Sequence, residues 1–235
     1  MAIQTTATQT ILITGANRGI GLEYVRQYAE SGNQVYATVR DLAQATSLQQ
    51  LAAEYSNIEV LALDVADIAA IRELAGQLSA ITVDILISNA GTYPESSFGK
   101  TDPQAWLHAF QVNTLTTYYL AEAFLPQLRR ASQAKLIAMT SKMGSIEDNS
   151  SGGEYIYRSS KTALNMVVKS LALDLKEFNI AVAALHPGWV RTDMGGPNGL
   201  IDTATSVRGL RQVIEQLTCE QSGQFIAYDG KLIPW

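Results

Sequence analysis

Tyr157 and Lys161 are the two residues whose chemistry and spacing point to catalysis, in the segment Tyr-Arg-Ser-Ser-Lys. Residues four apart lie on the same face of a helix, so the phenol and the ammonium group should be neighbours. A fixed positive charge favours the phenolate and lowers the phenol pKa, and each pKa unit corresponds to about 1.36 kcal/mol. Such a phenol can act as a general acid or base. Tyr and Lys at this spacing are also common on helix surfaces, so the position of the pair in the fold must show whether it is catalytic.

A glycine-rich turn near the start of the chain has the composition of a phosphate-binding loop. The segment Thr-Gly-Ala-Asn-Arg-Gly-Ile-Gly, residues 14–21, follows an apolar run and precedes an amphipathic stretch. Glycines allow a sharp turn close to a pyrophosphate, and the helix N-terminus supplies free N–H donors. The first two glycines are more widely spaced than in the G-x-G-x-x-G pattern. Dinucleotide binding and a turn made for packing are both compatible with this segment alone.

Apolar runs alternate with segments of helical period along the whole chain, which predicts an α/β fold. The predicted strands are 10–14, 34–39, 58–63, 83–88, 135–140, 180–185 and 223–228. The predicted helices are 20–31, 42–55, 68–79, 103–130, 154–177 and 203–217. Several strands lack polar alternation, as expected for a parallel sheet buried on both faces.

We therefore predict one domain over residues 1–235: a doubly wound, Rossmann-type, mostly parallel sheet of seven strands flanked by helices on both faces. Residues 1–9 are expected to be a flexible N-terminal segment, and residues 188–202 a substrate lid. Ligands of such sheets bind at the carboxyl ends of the strands.

Composition excludes several classes of function. Of the 235 residues, 47% are hydrophobic and 17% charged, and 17 Lys and Arg face 22 Asp and Glu, giving a net charge of −5. This charge has the wrong sign for a nucleic-acid partner. One cysteine, Cys219, with His108 and His186 cannot form a zinc site, so no metal is expected. No apolar stretch resembles a signal peptide or a membrane span, so we expect a cytoplasmic protein without a membrane partner.

Several further motifs follow in a fixed order, and together with the first two they resemble the short-chain dehydrogenase/reductase family over nearly the whole chain. They are Asp64, Asn89-Ala90-Gly91, Asn113, Ser141 and Pro187-Gly188. The segments 152–161, 186–190 and 229–235 are most similar to the carbonyl-reductase branch that includes the C-factor and sniffer-like proteins.

This resemblance implies a catalytic tetrad of Asn113, Ser141, Tyr157 and Lys161. Tyr157 would protonate the carbonyl oxygen as hydride leaves the nicotinamide, or act as the base in the reverse direction. Lys161 would lower the Tyr157 pKa and bind the nicotinamide ribose, and Ser141 would polarise the carbonyl. Asn113 would hold a water that connects Lys161 to solvent.

Ser145 competes with Ser141 for the serine role. Ser141 directly follows the predicted strand 135–140, at the carboxyl edge of the sheet, and Ser145 lies further out in the loop. We therefore choose Ser141. His186 and His108 are interpreted as structural and as a helical histidine without a catalytic role, respectively.

The cofactor predicted from charge is NADP(H). An NAD enzyme usually places an acidic residue at the end of the second strand. Val39 stands there instead, Arg40 follows it, and Arg18 lies in the glycine-rich turn, so two guanidinium groups could bind the 2′-phosphate. Asp41 leaves open the alternative that both arginines are surface cations, either of which could pair with it.

Other positions are assigned to the cofactor by the resemblance. Asp64 would bind the adenine amino group and Asn89, Ala90 and Gly91 would border the adenosine ribose. The full set of predicted cofactor-binding residues is Gly15, Asn17, Arg18, Gly19, Ile20, Gly21, Arg40, Asp64, Val65, Asn89, Ala90, Gly91, Tyr157, Lys161, Pro187, Gly188, Val190 and Thr192.

The predicted function is that of an NADPH-dependent carbonyl reductase that turns a small-molecule ketone or aldehyde into an alcohol. Two alternatives are a dinucleotide-binding signalling protein of C-factor type and a 3-oxoacyl thioester reductase. A homodimer or homotetramer is expected through the helices 103–130 and 154–177. The predicted substrate pocket consists of Ser141, Met143, Tyr93, Tyr155, Trp189 and Met194.

Overall fold

The computed structural model describes residues 8–235, which form a seven-stranded sheet between two layers of helices. All paired strands are parallel, in the order β3-β2-β1-β4-β5-β6-β7. The strands are β1 Thr10–Thr14, β2 Gln34–Val39, β3 Ile58–Ala62, β4 Ile85–Ser88, β5 Ala134–Met139, β6 Ile180–His186 and β7 Gln224–Ala227. The predicted α/β fold and its seven strands are confirmed.

Eight α-helical segments occur within residues 8–235. They are α1 Gly19–Glu30, α2 Thr46–Glu54, α3 Ile68–Gln77, α4 Pro103–Phe110, α5 Thr116–Ala123, α6 Leu125–Leu128, α7 Tyr155–Asp174 and α8 Thr203–Gln216. None of these helices within residues 8–235 combines the length and the apolar character that a membrane span requires.

The sheet separates two apolar cores because alternate strand residues point to opposite faces. On β1, Ile11 and Ile13 belong to the core shared with α1, α2 and α8, and Leu12 belongs to the core shared with α3, α5 and α7. All three side chains are fully buried. Helices on both faces thus explain why this strand is apolar throughout.

The predicted helix 103–130 is interrupted twice. Residues Gln111–Leu115 form a π-helical turn between α4 and α5, and Phe124 separates α5 from α6. The second break coincides with Pro126 in the first turn of α6, which has no N–H to donate within the helix. The π-helical turn contains Asn113, and such turns often occur at functional sites.

The predicted helix 42–55 is also divided, into a 3-10 turn Leu42–Gln44 and α2. Asp41 caps the 3-10 turn, since its Oδ1 accepts a hydrogen bond of 2.9 Å from the Ala43 N–H. The Asp41 carboxylate, next to Arg40 in the sequence, is therefore hydrogen-bonded to the backbone of the turn that it precedes.

The two loop predictions have different outcomes. Residues 1–7 of the predicted flexible segment 1–9 lie outside the described residues, and Gln9 is held by hydrogen bonds to Asn33 and Gln34. In 188–202, no helix or strand forms, but backbone bridges join Val190 to Ile201 and Thr192 to Gly196. This loop is folded onto itself.

His186 ends β6 and links it to the turn after β5, where its Nδ1 accepts a hydrogen bond of 3.2 Å from the Lys142 N–H. Burial, with a smaller contribution from the charge of Lys142, lowers the pKa of His186 to about 4. A protonated Nδ1 could not accept this bond, so the neutral imidazole is the form that joins the two segments. This agrees with the interpretation of His186 as a structural residue.

Acid should therefore destabilise the chain through His186. At pH values above about 6.5 the imidazole is neutral in both states, and between about 6.5 and 4 only the unfolded chain binds the proton. The free energy of unfolding should fall by up to about 3 kcal/mol over this interval from this residue alone. Urea unfolding at pH 7, 5.5 and 4.5 measures the slope.

His186→Asn keeps a hydrogen-bond acceptor and should flatten the pH dependence. His108→Asn is the matched control, because it removes an exposed imidazole from α4. Equal slopes for wild type and His186→Asn would contradict the assignment.

Candidate active site

The glycine-rich turn joins β1 to α1 and leaves the first N–H groups of α1 free. Gly15 and Gly19 have positive φ angles of 66° and 55°, which favour glycine. A Cβ on Gly21 would lie 2.2 Å from the Gly15 carbonyl oxygen, so the turn and the helix touch here. No side chain caps the helix at Arg18. The free donors and the helix dipole make this end of the helix suitable for a phosphate group.

Asn89, which follows β4, fixes this turn to the neighbouring strand. The Thr14 Oγ1 accepts hydrogen bonds from the N–H groups of Asn89 and Ala90 at 3.0 and 3.1 Å. In return, the Asn89 amide donates to the carbonyl oxygens of Thr14 and Gly15 at 2.9 and 3.1 Å. Asn89 is thus a structural support of the turn as well as part of its surroundings.

A cleft of about 850 Å³ runs along the carboxyl ends of the strands from this turn to the Tyr157 and Lys161 side chains. Most of the predicted cofactor residues line it: Gly15, Asn17, Arg18, Gly19, Ile20, Gly21, Arg40, Asp64, Val65, Asn89, Ala90, Gly91, Tyr157, Lys161, Pro187 and Thr192.

Gly188 and Val190 are predicted cofactor residues that do not lie on the cleft wall. Val190 is buried, 3% exposed, and its backbone pairs with Ile201. A Cβ on Gly188 would lie 2.9 Å from the side chains of Ile201 and Tyr228. Gly188 packs against Ile201 and Tyr228, and Val190 pairs with Ile201 within the 188–202 loop; their predicted contacts with the cofactor stay a prediction.

The two predicted phosphate-binding arginines have different surroundings. Arg18 forms an ion pair of 2.7 Å with Asp193 of the 188–202 loop, not with Asp41, and both side chains are more than 70% exposed. Arg40 is exposed and forms no ion pair with any residue from 8 to 235. Both arginines line the cleft, Arg18 from the turn after β1 and Arg40 directly after the neighbouring strand β2.

Tyr157 lies in the first turn of α7 and is buried, 7% exposed. Burial raises the pKa of Tyr157 to about 12, a hydrogen bond with Ser141 opposes the rise, and Tyr93 adds to it. The net direction is opposite to the one that the Tyr157–Lys161 spacing predicted. Spacing shows which groups share a face but not how dry that face is, and here desolvation is the larger effect.

Lys161 lies one turn further along the helix, with its Nζ 5.8 Å from the centre of the Tyr157 ring. The ammonium group donates a hydrogen bond of 2.8 Å to the Met139 carbonyl oxygen at the end of β5. Burial lowers the pKa of Lys161 to about 8. The predicted grouping of Tyr157 and Lys161 on one buried helix face is present.

Ser141 follows Thr140, the residue directly after β5. Its hydroxyl lies close enough to the Tyr157 phenol to lower the pKa of that phenol. Ser145 is engaged elsewhere, because its hydroxyl donates to the Trp235 carbonyl oxygen and accepts from the Asp148 N–H, both at 3.1 Å. This geometry favours Ser141 over Ser145 as the partner of Tyr157.

Asn113 fastens three elements together from the π-helical turn. Its Oδ1 accepts from the Thr92 N–H at 2.8 Å, and its Nδ2 donates to the Thr92 carbonyl and the Ser160 hydroxyl, both at 2.9 Å. The amide is buried behind the cleft rather than on its wall. Its predicted role in water binding stays a prediction.

The predicted substrate residues fall into two groups. Tyr93 packs against Tyr157 with ring centres 4.5 Å apart, and Met194 lines the cleft. Tyr155 instead packs against the exposed Phe98. Tyr155 and Tyr157 are two positions apart, and side chains at that spacing point about 200° apart around the helix axis. Trp189 is half-exposed and donates its indole N–H to Gly195 within the 188–202 loop.

Met143, the remaining predicted pocket residue, is partly buried in the turn after Ser141, and its carbonyl oxygen faces Arg158 of α7. Its predicted place in the substrate pocket stays a prediction.

Tyr93 lies near Glu154, the residue before α7. Burial and, to a smaller extent, the nearby Glu154 carboxylate raise the pKa of the Tyr93 phenol. Ser96 adds two links between the same segments, since it accepts from the N–H groups of Glu154 and Ile156 at 2.9 and 3.1 Å. The Tyr93 ring is therefore fixed beside Tyr157.

Several residues that line the cleft are not among the predicted site residues. His108 and Val112 line the cleft from α4 and the π-helical turn, and Thr92 and Asp193 line it from loops. His108 and Val112 have the four-residue spacing of one helix face, a signal that could have been used. Asp193 carries no such signal, because only the folded loop brings it to Arg18.

Comparisons with known proteins agree with this arrangement. The short chain dehydrogenase family matches residues 9–200. The chain is 34% identical over 232 residues to 1-hydroxy-2-glutathionyl-2-methyl-3-butene dehydrogenase of Rhodococcus sp. strain AD45, covering 96% of this chain and 99% of that protein. It is 42% identical over 154 residues to C-signal of Myxococcus xanthus, covering 65% and 93% respectively.

Two solved structures are similar over nearly the whole chain. The NADPH-bound carbonyl reductase from chicken fatty liver has a TM-score of 0.92 and 34% identity, covering 98% of this chain and all (100%) of that one. The carbonyl reductase Sniffer of D. melanogaster has a TM-score of 0.92 and 38% identity, covering 97% and 100%. Since the family match spans most of the sequence and the same fold extends over the rest, the chain belongs to the short-chain dehydrogenase family of oxidoreductases.

Proposed function

We propose that this protein is an NADPH-dependent carbonyl reductase that converts a ketone or aldehyde to an alcohol. The observation that carries the proposal is the cluster of Ser141, Tyr157 and Lys161 at one end of the dinucleotide-sized cleft. The two carbonyl reductases of the same fold support it.

The cleft fits NADP(H) at the end formed by the glycine-rich turn. The free N–H groups of α1 and the close approach of Gly15 and Gly21 suit a pyrophosphate. Arg18 and Arg40 suit a 2′-phosphate, because guanidinium groups form strong charge-assisted hydrogen bonds with phosphate. The Asp41 carboxylate already caps the 3-10 turn and is therefore less available to bind the ribose 2′-hydroxyl of NADH.

Bound NADPH would supply the hydride, and the protein's own groups would handle the proton. With a pKa near 12, Tyr157 is protonated at neutral pH, as a general acid must be. Ser141 would donate a hydrogen bond to the carbonyl oxygen as negative charge develops there. Lys161, with a pKa of about 8, stays mostly charged at neutral pH and would stabilise the phenolate that remains.

Tyr157→Phe should abolish turnover and leave cofactor binding intact. Loss of the proton donor should lower kcat for a panel of aryl ketones, aldehydes and ketoesters by about 100-fold or more. Oxidation of NADPH at 340 nm measures the rate, and fluorescence titration measures the Kd. Tyr155→Phe is the matched control on the same helix, since its exposed ring faces Phe98.

The same experiment tests the signalling alternative, to which the relative named C-signal gives specific support. A signalling protein should bind NADPH tightly and show no Tyr157-dependent turnover on any member of the panel. Turnover that persists in Tyr157→Phe would contradict the catalytic assignment.

Arg18→Ala and Arg40→Ala test the preference for NADPH. Arg40→Ala should raise the Kd for NADPH about tenfold and Arg18→Ala by a smaller factor, because Arg18 is paired with Asp193 in the free protein. Both changes should leave the Kd for NADH nearly unchanged, because only NADPH carries the 2′-phosphate. Arg72→Ala, which removes an arginine paired with Glu122 outside the cleft, is the control. Equal weakening of NADPH and NADH binding would show that the arginines do not select the cofactor.

We further propose a homo-oligomer, because the helices predicted to form the interface expose large apolar side chains. Met166 and Leu173 on α7 are both 67% exposed and lie seven residues apart on one face, and Leu107 on α4 is 62% exposed. Apolar area of this kind is expected to be covered in an assembly.

Met166→Glu combined with Leu173→Glu should convert the assembly to a monomer, since each subunit would have to bury two charges in the interface. Light scattering after size-exclusion chromatography gives the mass. Ile146→Glu changes another exposed apolar residue and should leave the mass unchanged. An identical mass for wild type and the double variant would refute this interface.

A further inference from the structure

Asn165 of α7 holds both sides of the short turn that carries Ser141. Its Nδ2 donates a hydrogen bond of 3.1 Å to the Gly144 carbonyl oxygen, and its Oδ1 accepts one of 2.8 Å from the Thr140 hydroxyl. Asn165 and Thr140 are each 3% exposed. Ser141 lies between the two residues that this single amide holds.

Two other contacts fix the same turn to the helix. The Thr162 hydroxyl is shared between the Gly144 carbonyl oxygen at 2.9 Å and the Arg158 carbonyl oxygen at 3.0 Å, so two side chains of α7 are within hydrogen-bond distance of the Gly144 oxygen. A Cβ on Gly144 would lie 2.9 Å from the backbone carbon and from Cβ of Lys161. The turn therefore rests directly on the helix segment that contains Lys161.

We propose that Asn165 is a positioning residue that sets the distance between the Ser141 hydroxyl and the Tyr157 phenol. The proposal rests on the proposed function, in which these two groups act on the carbonyl oxygen. A buried amide is costly unless its polar atoms are hydrogen-bonded, and an apolar side chain could fill the same space. Asn165 instead directs its donor and its acceptor to the residues on either side of Ser141.

This role has a consequence for proton transfer by Tyr157. The groups that face its phenol are Ser141 after β5, Tyr93 after β4 and Lys161 on α7. The hydrogen bond from Ser141 lowers the Tyr157 pKa, whereas Tyr93 raises it. Displacement of Ser141 should thus raise the pKa and move the pH profile for alcohol oxidation, which needs the phenolate, to higher pH.

Asn165→Leu is the first test, with acetophenone and benzaldehyde as carbonyl probes and 1-phenylethanol for the reverse reaction with NADP⁺. We expect kcat to fall about tenfold or more, the Kd for NADPH to change by less than about twofold, and the pH profile to shift upward. Ser141→Ala should lower kcat more strongly, by about 100-fold. In the Ser141→Ala variant, Asn165→Leu should lower kcat little further, since both changes remove the same contribution of the Ser141 hydroxyl.

A second pair of variants guards against a general loss of folding. Thr162→Val removes one hydrogen bond to Gly144 and should lower kcat in the same way, and Thr162→Ser keeps the hydroxyl and should restore activity. Ser159→Ala is the matched control on α7, because its hydroxyl bonds to Trp106 and not to the turn.

Hydrogen exchange of the amides of residues 141–146 supplies a readout that needs no turnover. Exchange there should accelerate in Asn165→Leu and stay at the wild-type rate in Ser159→Ala. Unchanged exchange, or losses of kcat that multiply in the double variant with Ser141→Ala, would overturn the role of Asn165. Absence of turnover in wild type would refute the proposed function, and exchange would still decide whether Asn165 positions the turn.

Discussion

Burial of a phenol and an ammonium group on one helix face is the constraint on which this site depends. Desolvation raises the pKa of Tyr157 to about 12 and lowers that of Lys161 to about 8, so it disfavours the charged form of both groups. Each must find polar partners close by. Lys161 finds the Met139 carbonyl at the end of β5, and Tyr157 finds Ser141 just beyond it.

The order of the strands explains how such partners come together. Because β1 lies next to β4 and β4 next to β5, the glycine-rich turn, the segment 89–93 and the Ser141 turn leave the same edge of the sheet side by side. Side-chain hydrogen bonds then fix their spacing: Thr14 to Asn89, Asn113 to Thr92, and Asn165 to Gly144. The sheet determines which loops meet, and buried amides determine how closely.

The strands could be predicted to within about two residues because each is an apolar run bounded by turn residues. The breaks in 103–130 differ in kind. Pro126 was a visible signal for the second, whereas the π-helical turn at 111–115 has no sequence signature that distinguishes it from helix.

For the candidate site, the sequence predicts which residues share one face of a helix, but it does not predict the contacts between different elements. The shared face of Tyr157 and Lys161 follows from helix geometry. Their pKa directions depend on burial by other elements, and the partner of Arg18 depends on the path of the 188–202 loop. Tyr155 is a predicted pocket residue because it flanks Tyr157 in the sequence, and only the folded helix shows that its ring is turned towards Phe98.

The two arginines at the end of the cleft then contribute unequally to cofactor selection in the proposed function. Arg18 must first leave Asp193, and since their side chains are 71% and 75% exposed, that ion pair contributes only about 0–1 kcal/mol. Arg40 has no such partner among residues 8–235, so it breaks no ion pair when it binds an anion. Arg18 also connects the glycine-rich turn to the 188–202 loop, and Thr192 of that loop lies near the position of a Cβ on Gly19. A phosphate that recruits Arg18 therefore competes with one of the contacts that hold the loop over the cleft, whereas Arg40 selects the cofactor without affecting the loop.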